Sequence, residues 1–289
     1  QMKRRILNIA VFRKETLYQK MRALIIYLVI SAVFIGCTPI LSVDASTQSV
    51  YHFSDTDKNI SLLDISETFG TYDGSFVLYD NNLDSWKIYD LEEATKRIPP
   101  ESTYKIYDAL LGLESGIITP EHSSMTWNGD AFPFPSWEAD QDLNSAMQNS
   151  VNWYFQAIDS QLGINRVQEF LNKIEYGNQT TSSNLDLYWS DFSLKISPLE
   201  QVTLLKKFNT NEFHLNFQNV FSVKNAIKIA STPNGNFYGK TGTGRVNGQD
   251  INGWFIGYVE TITAIILQPI SKVILMQLAK KHLKSLLIS

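Results

Sequence analysis

Two residues that can do nucleophilic chemistry lie three positions apart, in the stretch Ser102-Thr103-Tyr104-Lys105. Residues three apart share one face of a helix, so a helix that begins here would bring the Ser102 hydroxyl to the Lys105 amine. A serine hydroxyl is a weak nucleophile, and a lysine amine beside it can take its proton. The stretch therefore predicts covalent acyl transfer, although a helix N-cap serine followed by a surface lysine has the same sequence.

A second motif, Lys240-Thr241-Gly242-Thr243, supplies a cation, two hydroxyls and a residue without a side chain. A glycine in a strand lets a ligand approach the backbone closely. The alternative is an ordinary edge strand that a lysine protects from aggregation. Because both motifs occur in one chain in this order, we favour a shared active site over coincidence.

The helix that must position Ser102 is expected over 102–115, because Ile106, Ala109, Leu110 and Leu113 fall at helical spacing. Ser102 would then lie at the N-terminus of a buried helix, where free backbone N–H groups and the positive end of the dipole can stabilise an anion.

The remaining pattern predicts strands at both ends of the domain and helices between them. One hairpin is expected from 74–79 with 85–89, and another from 236–243 with 252–259 through an Asn-Gly turn at 247–248. The middle, 119–232, is predicted to be rich in loops and helical, with helices over 143–162 and 166–174. We therefore predict an α+β fold in which an antiparallel sheet, closed by both ends of the chain, is flanked by helices and carries a helical insertion.

Composition excludes several classes of protein. The chain has 289 residues and a net charge of -4, with no basic run after its first residues, so no nucleic-acid partner is expected. Cys37 is its one cysteine, which excludes an intrachain disulfide, and its four histidines show no metal-ligand spacing.

An uncharged apolar stretch over 23–41, preceded by basic residues and followed by Asp44, has the length of a membrane-spanning helix. The positive-inside rule then places 1–22 in the cytoplasm and the residues after the helix outside. A cleavable signal peptide, a lipoprotein cleavage site at Cys37 and a buried core helix are the alternatives.

The predicted organisation has five parts, and the basic segment before the apolar stretch suggests the C-terminal part of a larger membrane protein. These parts are a cytoplasmic stub (1–22), a transmembrane helix (23–43), an extracellular tether (44–66), the main domain (67–260) and an atypical tail (261–289).

The motifs together resemble the serine penicillin-recognising enzymes, namely class D β-lactamases and, more closely, the extracellular sensor domain of membrane β-lactam sensor-transducers. The resemblance covers about 66–260 and includes further matches in family order. These are Ser150-Val151-Asn152, Tyr176-Gly177-Asn178, Trp189 with 194–197, and 253–258.

The resemblance implies a role for each matching residue. Ser102 would be acylated by a β-lactam, Lys105 would be the base, with a carbamate formed from CO₂ on its amine as in class D enzymes, and Ser150 would relay the proton. The N–H groups of Ser102 and Thr243 would form the oxyanion hole. The expected substrate-binding residues are Trp137, Tyr176, Trp189, Lys240, Thr241, Gly242 and Thr243.

Asn152 is the informative departure, because class D enzymes have valine at this position. An asparagine can hydrogen-bond Lys105, hold it as the free amine and prevent the carbamate from returning, so that the acyl-enzyme persists. The alternative is that Asn152 satisfies some other polar neighbour.

Three functions follow from the resemblance. The leading one is a membrane β-lactam sensor with very slow deacylation, which signals across the bilayer to induce resistance genes. The alternatives are a membrane-anchored class D β-lactamase and a catalytically silent peptidoglycan-binding module. In the sensor family a cytoplasmic zinc metalloprotease part precedes the membrane segment. This chain has no His-Glu-x-x-His, so zinc is expected only in that part. The chain is expected to be acylated by β-lactams without hydrolytic turnover.

The tail after Glu260 departs from the family, which continues with an aromatic strand and a closing helix. Codons for the residues from Leu267 onward can be chosen so that a reading frame shifted by one base encodes an ending like that of the family. This suggests a frameshift in the gene between the codons of residues 260 and 267. A genuine amphipathic helix over 272–287 is the alternative.

Overall fold

The computed structural model of the protein describes residues 49–53, 59–233, 235–261 and, as backbone, 270–279. The strands form one seven-stranded sheet. They are β1 (Asn59–Leu62), β2 (Asp73–Asp80), β3 (Ser85–Tyr89), β4 (Lys228–Thr232), β5 (Gly235–Val246), β6 (Gln249–Thr261) and β7 (Ile270–Ala279).

Most of the helices lie between β3 and β4 in the chain, as the predicted insertion requires. They are α1 (Ser66–Phe69), α2 (Leu91–Thr95), α3 (Lys105–Glu114), α4 (Leu143–Gln148), α5 (Asn152–Leu162), α6 (Ile164–Ile174), α7 (Pro198–Thr210) and α8 (Phe217–Ala226). Short 3₁₀ turns occupy Glu101–Tyr104 and Pro135–Trp137.

The sheet joins strands from both ends of the domain in the order β1-β3-β2-β7-β6-β5-β4. Strand β7 pairs with β2 on one side and with β6 on the other, and both pairings are antiparallel. Among the described strands, β1 and β3 are the pair that runs in parallel. The α+β architecture predicted from the sequence is confirmed, with this one parallel strand as a difference.

Both hairpins form where local sequence signals placed them. The turn between β5 and β6 is built by Asn247 and Gly248, whose φ angles of 51° and 77° are left-handed. A two-residue turn with positive φ at both positions matches the twist of the strands, which explains why Asn-Gly is favoured there.

Helix α3 is the buried centre of the domain. Every residue from Lys105 to Leu113 is buried, and α3 packs against α4, α5 and α8. A helix buried on all sides holds its side chains in fixed positions, so α3 is a rigid support for the residues at its N-terminus.

The helix predicted over 143–162 is broken in the structure. Helix α4 ends at Gln148, α5 begins at Asn152, and Ser150 between them has a left-handed φ of 53°. A non-glycine residue in this conformation is costly and interrupts a helix.

The segment predicted as a tether, 44–66, is partly folded onto the domain. Strand β1 lies at the edge of the sheet, the Tyr51 amide donates to the Thr95 carbonyl, and Phe53 packs on Trp86. The tail also differs from its helical alternative, because residues 270–279 form a strand.

The predicted membrane segment 23–43, the stub 1–22 and residues 280–289 lie outside the described residues. Within the part of the chain that the structure describes, none of the helices combines the length and the apolar composition that crossing a bilayer requires.

Candidate active site

Ser102 lies in the 3₁₀ turn that leads into α3, and Lys105 is the first residue of that helix. The Lys105 Nζ donates to the Ser102 Oγ at 3.2 Å. Lys105 is 1% exposed, whereas Ser102 is partly open. The predicted pairing of hydroxyl and amine is therefore present, between a buried lysine and a partly exposed serine.

The Lys105 amine has a second partner, the Asn152 Oδ1 at 2.8 Å. The rings of Phe155 and Trp189 lie 5.5 and 5.4 Å from Nζ and cover its other sides. Burial lowers the pKa of Lys105 to about 8, while nearby carboxyl groups oppose this fall. At pH 7 roughly one amine in ten is then neutral and able to accept a proton.

Lys240 and Ser150 form the second half of the site. The Lys240 Nζ donates to the Ser150 Oγ and, at 2.9 Å, to the Thr241 carbonyl. Burial, together with the charge of Lys105, lowers the pKa of Lys240 to about 7. The broken helix between α4 and α5 is what brings the Ser150 hydroxyl to this lysine.

Strand β5 passes directly over Ser102. A Cβ on Gly242 would lie 3.2 Å from the Ser102 amide nitrogen and 3.0 Å from the Pro100 carbonyl oxygen. Such contacts are tighter than side chains normally make, so glycine is what permits the close approach of strand and turn.

The half of β5 that carries the Lys-Thr-Gly-Thr motif has an open edge. Strand β4 pairs only with Gly235–Tyr238, and in the described parts of the chain no strand pairs with β5 beyond that point on this side. Thr243 on this half is exposed. Unpaired backbone groups at a strand edge are free to bind a ligand.

A cleft of about 450 Å³ adjoins Lys240 and Thr241. Its walls come from the end of α4, the start of β4 and the facing part of β5. This volume falls in the range of about 300–1,000 Å³ typical of small-molecule sites.

The aromatic residues predicted to bind substrate differ in position. Trp137 is partly exposed, and its Nε1 donates to the Asn149 carbonyl beside Ser150. Trp189 is 2% exposed and covers Lys105. Tyr176 is completely buried, so its assignment as a substrate-binding residue is wrong.

The Tyr176-Gly177-Asn178 motif holds a loop instead of a ligand. Gly177 has a φ of 53°, and a Cβ there would lie 2.0 Å from the Lys195 carbonyl oxygen. The Asn178 amide and side chain bond both the N–H and the C=O of Lys195, and Asn178 Nδ2 donates to Ser193. These hydrogen bonds fix the loop that brings Trp189 over Lys105.

Glu101 and Asn252 are site residues that the sequence did not reveal. Glu101 is buried next to Ser102, and burial raises its pKa to about 8. Its carboxyl meets the Asn252 side chain across Gly244. The sequence feature that could have indicated a role for Glu101 was its position directly before Ser102.

Asp108 and Asp159 were missed as well, and both are completely buried. Asp108 lies three residues after Lys105, so helical spacing places it on the same face. Within the described chain, no group of three or more His, Cys, Asp or Glu side chains is arranged to hold a metal ion.

The chain resembles known proteins over most of its length. Residues 75–267 match the family described as the penicillin-binding protein transpeptidase domain. The regulatory protein BlaR1 of Bacillus licheniformis is 44% identical over 262 residues, which are 90% of this chain and 43% of BlaR1. The methicillin resistance mecR1 protein of Staphylococcus aureus is 36% identical over 259 residues, 90% of this chain and 44% of that protein. The chain thus spans less than half the length of these curated relatives.

Solved structures agree with this relationship. The C-terminal domain of the Bacillus licheniformis BlaR penicillin-receptor superposes with a TM-score of 0.73 at 42% identity, covering 78% of this chain and 91% of that domain. The class D β-lactamase BAT-2 superposes with a TM-score of 0.70 at 32% identity, covering 75% of this chain and 88% of the enzyme. The chain therefore belongs to the penicillin-binding protein transpeptidase domain family, with the fold of class D β-lactamases and a sequence homologous to the BlaR1 and MecR1 proteins.

Proposed function

We propose that this domain is a β-lactam sensor, in which a β-lactam acylates Ser102 and the adduct persists. The observation that carries the proposal is the position of the Lys105 amine, held between the Ser102 Oγ and the Asn152 Oδ1. The first contact suits attack on a β-lactam, and the second opposes the later hydrolysis. The similarity to a domain described as a penicillin-receptor supports the same function.

Acylation would begin at Lys105, whose neutral amine takes the proton of the Ser102 hydroxyl. The Oγ then attacks the β-lactam carbonyl carbon and the ring C–N bond breaks. Ser150, in contact with Lys240, would relay a proton to the ring nitrogen. The backbone N–H groups of Ser102 and Thr243 would stabilise the oxyanion.

The drug carboxylate would bind at the open edge of β5. Lys240 supplies the cation there, and Thr241 and Thr243 supply hydroxyl groups, while Gly242 leaves room for the ligand. An anion beside Lys240 would also favour its protonated form, which burial otherwise disfavours.

Persistence of the adduct would depend on Lys105 and Asn152. Hydrolysis needs a base that activates water, and a carbamate on Lys105 would supply it. The buried amine with its lowered pKa fits such a modification. The Lys105 Nζ, however, donates a hydrogen bond to the Asn152 Oδ1 at 2.8 Å. This contact would favour the protonated amine, which cannot react with CO₂. Asn152 would therefore keep the acyl-enzyme from turning over.

We further propose that the segment 23–43 spans the membrane, with 1–22 in the cytoplasm and the domain outside. The apolar, uncharged sequence of that segment and the basic residues before it support this topology. The partner that receives the signal would be a metalloprotease part of a longer protein, which would also hold the zinc; the greater length of BlaR1 and MecR1 is compatible with such a part.

A class D β-lactamase is the second candidate, because the domain shares its fold and 32% of its sequence with BAT-2. The structural difference that argues against it is the Asn152 contact to Lys105. A silent peptidoglycan-binding module would leave the Ser102–Lys105 contact without a use.

A chromogenic cephalosporin separates these functions. The full chain in detergent should give one burst of product per site and then stop, and mass spectrometry should find the adduct on Ser102. Ser102→Ala should give no burst. Continued turnover would instead show a β-lactamase, and no burst in the unaltered chain would overturn acylation altogether.

A further inference from the structure

Glu101 lies between the nucleophile and the sheet. It directly precedes Ser102, is 5% exposed and has a left-handed φ of 52°. Its N–H donates to the Trp189 carbonyl at 3.1 Å. A non-glycine residue in this conformation is strained and persists where its surroundings hold it in place. The contacts of the Glu101 side chain therefore bear on the turn that carries Ser102.

The Glu101 side chain packs on two glycines of β5. A Cβ on Gly242 would lie 3.1 Å from the Glu101 Cβ, and a Cβ on Gly244 would lie 2.6 Å from the Glu101 Oε1. Residues two apart share one face of a strand, so both glycines face the turn. Thr243 lies between them and is exposed. The Glu101 carboxyl thus fills the space beside the β5 backbone next to Thr243.

Asn252 on β6 faces the same space. It pairs with Gly244 in the β5–β6 register, and its Oδ1 would lie 2.1 Å from a Cβ on that glycine. This Oδ1 is buried and has no hydrogen-bond donor among the described residues. Two residues along β6, the Trp254 Nε1 donates to the Pro99 carbonyl at 2.8 Å. Strand β6 therefore meets the turn at two positions, and the second one has an unused acceptor.

A carboxylic acid fits the Asn252 amide better than a carboxylate does. A carboxylate has no proton to donate and would place an oxygen beside the unpaired Oδ1. A protonated Glu101 can donate its O–H to the Oδ1, while its other oxygen accepts from the Asn252 amide nitrogen. Burial favours the same form, because it raises the pKa of Glu101 to about 8, while the charge of Lys105 opposes this rise.

Other charged groups on the elements around Glu101 have partners of their own. Lys105 on α3 is the charged group that opposes protonation of Glu101. On β5, on β6 and in the loop of Trp189 the charged groups and their partners are Lys240 with Ser150, Arg245 with Asp250, and Asp191 with Ser182.

We propose that the Glu101 carboxylic acid and the Asn252 amide form a pair with two hydrogen bonds, which fastens the turn to the β5–β6 hairpin and holds the N–H groups of Ser102 and Thr243 in place for the oxyanion. The pair acts through these N–H groups, so its two members are positioning residues. When the acid loses its proton, one of the two bonds is lost and the turn loosens. The inference deepens the proposed function and rests on it for the effect on acylation.

The rate of acylation at saturating β-lactam, measured by stopped flow across a pH series, tests the pair. In the unaltered chain this rate should rise as Lys105 becomes neutral and fall above pH 8 as Glu101 loses its proton. A glutamine side chain forms the same two bonds and has no proton to lose. Glu101→Gln should therefore reach a plateau and be about tenfold faster than the unaltered chain at about pH 9.

Two controls separate this effect from others in the site. Asp250→Asn removes an exposed carboxyl from the same strand and should keep the fall above pH 8. Loss of the proton of Lys240 would weaken binding of the drug carboxylate, which raises the half-saturating concentration and leaves the rate at saturation unchanged.

Alanine variants measure the coupling of the two side chains. At pH 7, Glu101→Ala and Asn252→Ala should each slow saturated acylation by about tenfold, with an unchanged half-saturating concentration. The double variant should be slowed by about the same factor, because either single change already removes the pair. Additive losses, or a change in the half-saturating concentration alone, would overturn the proposal.

Hydrogen exchange tests the pair without a β-lactam. Above pH 8 the amides of 99–104 and 241–246 should exchange about tenfold faster in the unaltered chain than in Glu101→Gln. Equal exchange in the two chains, or a Glu101→Gln acylation rate that still falls above pH 8, would overturn the proposal even if the alanine variants failed to fold. If the unaltered chain is never acylated, the proposed function fails, and hydrogen exchange still decides whether the pair exists.

Discussion

Replacing Asn152 by valine should change the protonation of Lys105, and the structure gives the size of the effect. The substitution removes the Oδ1 that accepts from Nζ at 2.8 Å and puts an apolar group beside it. A hydrogen bond to a charged group contributes about 1.5–3 kcal/mol. At 1.36 kcal/mol per pKa unit this corresponds to a fall of roughly one to two units.

The expected result follows from the direction of that shift. The pKa of Lys105 would fall from about 8 to roughly 6–7, so that half or more of the amine is neutral at pH 7. In the proposed reaction Lys105 acts as the neutral base, so acylation should rise with pH through its pKa. In Asn152→Val the midpoint should lie one to two units lower, and acylation at pH 7 should be roughly five- to tenfold faster. Decay of the adduct should accelerate as well, since the amine becomes free to react with CO₂.

Stopped-flow acylation across a pH series, followed by mass spectrometry of the decaying adduct, measures both effects. Asn152→Asp is a control of opposite sign, because a carboxylate at this position would raise the pKa of Lys105 and move the midpoint upward. A valine variant with the midpoint and the decay rate of the unaltered chain would refute the reasoning, since the Asn152 contact would then contribute nothing to either step.

Two further predictions concern stability. Gly177→Ala should lower the free energy of unfolding by at least about 3 kcal/mol, because its Cβ would lie 2.0 Å from the Lys195 carbonyl oxygen. The control Gly248→Ala is also at positive φ but has nothing within 4 Å, so it should lower the free energy of unfolding by only about 1–2 kcal/mol. Equal losses in urea titrations of the two variants would contradict the role of Gly177 in fixing its loop. Glu101 has its pKa raised from 4.5 to about 8, so its contribution to stability is full below pH 4.5 and is lost as the pH rises through 8. Glu101→Gln should therefore show a flatter dependence of Tm on pH across this window, whereas the exposed control Glu121→Gln should keep the slope of the unaltered chain.

Sequence reasoning succeeded where a feature depends on neighbouring residues. The β5–β6 hairpin follows from the Asn247-Gly248 turn and the apolar runs beside it. The contact of Ser102 with Lys105 follows from their spacing at a helix start. Both are local, so no other part of the fold had to be known.

The features that were missed depend on contacts between distant segments. Helical propensity continues through Ser150, and its left-handed φ is compatible with the fold because the hydroxyl meets Lys240, far along the chain. Asp108 and Asp159 have the sequence appearance of surface residues, since acids are seldom fully buried. Tyr176 was assigned to the pocket through the motif that contains it, whereas burial is decided by the packing of α3 against its neighbours.

Strand β7 has a consequence for how the domain is made. It lies between β2 and β6, so the N-terminal hairpin and the β5–β6 hairpin share no backbone hydrogen bonds until residues 270–279 are available. During synthesis both halves would carry an unpaired strand edge while the ribosome completes the chain. Long-range pairing of this kind slows folding, and open edges invite association with other chains. A polypeptide that stops before 270 would keep Ser102, Lys105 and Lys240. The edges of β2 and β6 that pair with β7 in the complete sheet would then be exposed.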